Sequence, residues 1–85
     1  MIDAAELRRQ VRVILSARPA ATLTAEGYIA AGLSRFFPER IHASDMQSAL
    51  EWNEARGWVE KRWNADEERN EWMLSGRGRI KEGLA

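Results

Sequence analysis

Cysteine is absent and His42 is the only histidine, so one chain cannot assemble a thiol nucleophile, a thiolate metal site, a disulfide or a histidine metal pair. No serine elbow and no paired carboxylates with general acid–base spacing stand out. The run Asp66-Glu67-Glu68 lacks the glycine and the ligand spacing of a calcium loop and reads as solvated charge. Ser75-Gly76-Arg77-Gly78 lacks the Walker spacing and its lysine–serine pair, and helix capping explains it better than phosphate cradling. The chain is therefore expected to be a non-enzyme with no cofactor, no metal and no small-molecule substrate. What remains is binding chemistry, carried by four tryptophans among 13 basic and 13 acidic side chains.

The elements that must position these groups are legible in the apolar spacing. Leu7, Val11, Ile14 and Leu15 recur at i, i+4, i+7, i+8, which predicts a first helix from Asp3 to Arg18, ended by Pro19. Thr24 is expected to cap a second helix, with Leu23 and Tyr28 as a hydrophobic staple and Tyr28, Ile29, Leu33 and Phe36 on its apolar face. Gly32 on that face suggests close approach by a neighbouring helix, and Pro38 forces the stop. Ser44-Asp45-Met46-Gln47 matches a capping box that opens a third helix, with Met46, Ala49, Leu50 and Asn53 inside and Gly57 at its left-handed end.

Two strand-like runs follow, from Trp58 to Trp63 and from Arg69 to Leu74, joined by the polar segment 64–68. Trp58, Trp63 and Trp72 are expected to pack against the helices. Trp52 lies about 120° from Met46 around the third helix and is either a boundary packing residue or an exposed contact. A last short helix from Gly76 to about Leu84 is expected, capped by Ser75, with Ile80 and Leu84 returning to the core.

At 85 residues and 45% hydrophobic the chain fits one domain, 1–85, able to bury one modest core. Its formal net charge is zero, so no overall basic excess steers it towards phosphates or anionic lipid. The apolar run Val11 to Leu15 contains Arg12 and is too short for a signal h-region or a membrane span of about 20 residues. No membrane association is expected, and a cytoplasmic location follows.

Three helices, a hairpin and the segment Trp72-Met73-Leu74-Ser75-Gly76-Arg77-Gly78-Arg79 resemble the winged-helix superfamily, whose second wing strand often runs into a Trp-x-Leu-Thr-x-x-Gly-Arg-like end. Ser75 stands where threonine is common. The stretch from Leu50 to Val59 looks like a recognition helix entering the first wing strand. The resemblance implies an α+β fold: a three-helix bundle with a C-terminal two-stranded β-hairpin wing and a short terminal helix. It further implies that the third helix enters a major groove of double-stranded DNA while the wing lies over the adjacent backbone. Ser44, Gln47, Ser48 and Arg56 would then supply base or phosphate contacts, and Lys61, Arg62 and Arg69 backbone contacts. A small bacterial or phage regulator or accessory factor, acting as a dimer, is the implied function.

Charge by segment runs against that face. Residues 1–19 carry Arg8, Arg9, Arg12 and Arg18 against Asp3 and Glu6, a balance of +2. Residues 43–57 and residues 58–74 each total −2, whereas residues 75–85, with Arg77, Arg79 and Lys81 against Glu82, total +2. Because phosphate contacts supply most non-specific affinity, an acidic third helix and wing suit a protein partner or a second copy, engaged through Glu51, Trp52 and Trp63. A third arrangement places the nucleic-acid contacts on the basic stripe of the first helix and on the C-terminal helix.

Overall fold

The computed structural model of the chain describes residues 2–84. Helix α1 spans Ala4–Ser16, strand β1 Thr24–Ala25, helix α2 Glu26–Phe36 and helix α3 Ala43–Ala55. Strands β2 (Val59–Asn64) and β3 (Arg69–Leu74) and a six-residue helix α4 (Gly76–Lys81) complete the chain. The architecture is α+β, four helices against an antiparallel sheet of order β1-β3-β2.

The sheet has three strands, where the sequence suggested a two-stranded hairpin. Thr24 and Ala25 pair with Trp72 and Glu71 of β3 instead of capping α2, whose N-cap is Ala25 with no side-chain bond. Two residues are too short a run for alternation to betray a strand; the bonding edge of β3 makes it one. Thr24 is buried there, and its hydroxyl finds no hydrogen-bond partner among the described residues.

Helix α1 begins at Asp3, whose carboxylate accepts from the Ala5 and Glu6 amides. It packs Leu7, Val11 and Leu15 against α2, α3 and β3. Its partner α2 comes close at Gly32, where a Cβ would lie 2.8 Å from Ile14 Cδ1, so the close approach expected of this glycine is present. Only Ile29 and Leu33 of α2 are buried; Tyr28 and Phe36 face solvent, and Phe37, in extended backbone just past the helix, turns into the core in place of Phe36. The Leu23–Tyr28 staple does not cover either side chain: both are exposed, and Tyr28 lies under the Arg18 guanidinium.

Helix α3 starts earlier than Ser44. Its N-cap is His42, whose amide donates to the Asp45 carboxylate at 3.2 Å, a stronger acceptor than the Gln47 amide because it is ionised. Met46, Ala49, Leu50 and Asn53 are buried as their spacing predicts, and Gly57 adopts φ +76°, a conformation that penalises any residue with a Cβ.

Val59 pairs with Leu74 and Lys61 with Trp72, putting Val59, Trp72 and Leu74 on the core side. The hairpin then runs beyond the core, so Trp63, opposite Asn70, stays exposed instead of packing on the helices. Asn64 receives the Glu67 amide on its side-chain oxygen, and Glu68 takes φ +51° to close the turn. Ile80 of α4 is also exposed, contrary to expectation, while Leu84, beyond the end of α4, packs against the core. Full burial of Val11, Ile29, Leu33, Leu50, Val59 and Trp72 supplies the main driving force, about 1.5–3 kcal/mol for each aliphatic side chain.

Candidate nucleic-acid interface

The outer side of α3 presents Ser44, Ser48 and Glu51 to solvent, with Gln47 half-buried, and Arg56 is exposed at the C-cap just past the helix. Ser44, Gln47, Ser48 and Glu51 share one side of the helix, as their periodicity requires, whereas Arg56 lies over the Trp52 ring. Glu51 lowers the affinity of that side for phosphate.

The hairpin cations are differently disposed. Arg62 donates to the Glu60 carboxylate at 2.7 Å, and Arg69 to that of Glu71 at 3.0 Å. Glu71 is buried and also receives the Asn64 amide at 3.1 Å, so its carboxylate is held in place by the strand pair. Both arginines are therefore matched by a carboxylate on the hairpin itself. Lys61 is the hairpin cation without such a partner among the described residues, and its ammonium stands 5.8 Å from the centre of the Trp72 ring. Trp63 leaves 63% of its surface exposed on the same ribbon, while Trp72 donates its indole N–H to Glu26 at 2.9 Å.

A second constellation forms where α1, the end of α3 and α4 meet. Trp52 and Trp58 are half-buried and stand edge to face, ring centres 5.7 Å apart at 61°. Arg8 and Arg56 lie over the Trp52 ring at 4.5 and 3.8 Å, and Arg12 and Lys81 over the Trp58 ring at 5.0 and 4.8 Å. Arg12 is buried, bonded to Asn53 Oδ1 at 3.0 Å and to the Glu82 carboxylate at 3.2 Å, and so locks α1 to α3 and to the end of α4. Arg9 is paired with Glu6. Arg8, Arg56 and Lys81 make no salt bridge among the described residues.

Compared with known proteins, this chain matches no family model, no curated protein and no solved structure. Its site must be read from its own geometry.

Of the residues singled out from sequence, the fold brings Arg56 and Trp52 together and leaves Trp63 on the far ribbon. Trp58 was expected in the core and instead borders the cationic groove. The signal that pointed to this cluster was the pair of +2 segments at the two ends of the chain; their meeting is a tertiary event. Among the described residues no three His, Asp or Glu side chains gather as a metal would require, and no helix is long and apolar enough to cross a membrane.

Proposed function

We propose that the chain is a winged-helix DNA-binding protein, a cytoplasmic regulator or accessory factor of bacterial or phage type, with no catalytic role and no cofactor. The observation that carries this reading is the connectivity: three helices followed by a hairpin whose second strand is tied back to the helical body through β1. In this reading α3 lies in the major groove, with Ser44, Gln47 and Ser48 towards base edges and Arg56 towards guanine or phosphate. The hairpin, through Lys61 first and Arg62 and Arg69 after exchange of their carboxylate partners, follows the backbone.

The test is a binding titration against mixed-sequence duplexes over a range of salt. Non-specific dissociation constants of about 10⁻⁴–10⁻⁶ M at physiological salt, tightening as salt is lowered, are the expected result. An absence of salt-sensitive binding at low ionic strength removes the proposal.

A second reading is favoured by Trp63, whose large indole is exposed on a hairpin where Arg62 and Arg69 are already matched by carboxylates. Here the hairpin, through Trp63, and the acidic outer side of α3, through Glu51, engage a protein partner or a second copy of the chain, while Trp52, covered by Arg8 and Arg56, takes no part.

A further inference from the structure

We infer that the groove between α1, the C-terminal turn of α3 and α4 is a docking site for the phosphate backbone of duplex DNA. The inference rests on the DNA-binding reading and changes which face does the holding. A shallow groove of about 240 Å³ is lined by Arg8, Arg9, Arg12, Trp52, Trp58 and Lys81, and Arg56 borders it through its stack on Trp52. Glu6 and Glu82, the carboxylates bonded to its lining, are taken up by Arg9 and Arg12, which leaves Arg8, Arg56 and Lys81 without a salt bridge among the described residues. Three free positive charges around two adjoining rings contrast with the hairpin, where two of three cations are neutralised in place.

The aromatic groups here do not serve as base platforms. Two guanidinium groups already lie over Trp52, and a guanidinium and an ammonium lie over Trp58, so a splayed base would have to displace them. What the stacks do is hold flexible cations in fixed positions in the free protein, which lowers the ordering cost when a regularly spaced phosphate backbone is bound. Phosphates of an intact duplex, whose charge is dense and whose bases are stacked away, match that arrangement.

The variant Arg8→Ala with Lys81→Ala tests this in the full chain, alongside the charge-retaining pair Arg8→Lys with Lys81→Arg. With a short mixed-sequence duplex as probe, the alanine pair is expected to weaken binding and to reduce the salt slope by about 2, one for each lost phosphate contact. The charge-retaining pair keeps the slope, whereas Lys61→Ala, which removes a single hairpin contact, reduces it by no more than about 1. In the unsubstituted protein, the indole N–H resonances of Trp52 and Trp58 shift on addition of duplex. Binding whose slope is the same in the alanine pair and in the parent protein, with those two indole signals unmoved, overturns the inference and leaves the DNA-binding proposal standing. If the parent protein binds no duplex at any salt concentration, both fall together.

Discussion

At the residue scale, Asn53 is the polar group on which the helical body turns. It is fully buried, accepts from Arg12 at 3.0 Å, and donates to the Arg8 and Ala49 carbonyl oxygens at 3.1 and 2.9 Å. Every bond its amide makes is internal, so a hydrocarbon in its place takes one acceptor from the Arg12 guanidinium and one donor from the Arg8 carbonyl in a water-poor site. Asn53→Leu is expected to destabilise the fold by about 2 kcal/mol, lowering Tm by roughly 10 °C in a domain of this size. Thermal unfolding checks it, and an unchanged midpoint would show that Arg12 is held by Glu82 alone. Asn53 is legible from sequence as an inward-facing position, but its partners on α1, more than 40 positions away in the chain, are not.

At the element scale, the junctions around α4 set where its cations stand. Ser75 caps α4 by accepting the Gly78 amide at 2.9 Å, and its own hydroxyl donates to the Gly57 carbonyl, fastening the start of α4 to the end of α3. The Ser75 amide donates to the Trp58 carbonyl at 3.1 Å. Gly78 lies so close to that same carbonyl that a Cβ would overlap its oxygen and stand 3.0 Å from Leu74 Cδ2. Gly78→Ala is therefore expected to push α4 off the sheet and cost about 1–3 kcal/mol. Gly76→Ala, with open space around it, should be neutral or slightly stabilising. Denaturant midpoints of the two variants give the comparison; equal midpoints would remove the packing account. The Ser75 cap was readable from the residue type and its position. The extra strand β1 was not, because Thr24 satisfies the local rules for a cap as well as those for a short edge strand, and only β3 lying alongside decides between them.

At the scale of the whole molecule, the chain separates into two kinds of surface. One side gathers Arg8, Arg56 and Lys81 around Trp52 and Trp58, while the hairpin carries two arginines paired with its own carboxylates and the exposed Trp63. Trp63 extends past the core, so its removal should leave the fold intact: Trp63→Ser is expected to change stability by less than about 0.5 kcal/mol. If the hairpin mediates association with a second copy, sedimentation at increasing concentration shows a dimer for the parent protein and a monomer for this variant. A strict monomer at high micromolar concentration removes the homodimer reading. A zero formal net charge conceals this division, since the two +2 segments at the ends of the chain and the two −2 segments between them sum to nothing in sequence yet occupy different places in space.

Sequence by itself determined the three long helices, the hairpin and most of the core, because apolar periods of 3.6 and 2, prolines that stop helices and a glycine at the end of α3 act through near neighbours. It also determined that thiol chemistry and a histidine metal pair are beyond this chain. Tertiary structure alone decided which tryptophans are covered, that Thr24 joins a sheet, that Phe37 and not Phe36 fills the core, and that the basic ends of the chain meet. Those outcomes depend on groups brought together from distant positions, where packing and charge pairing are set by distances that no local pattern encodes.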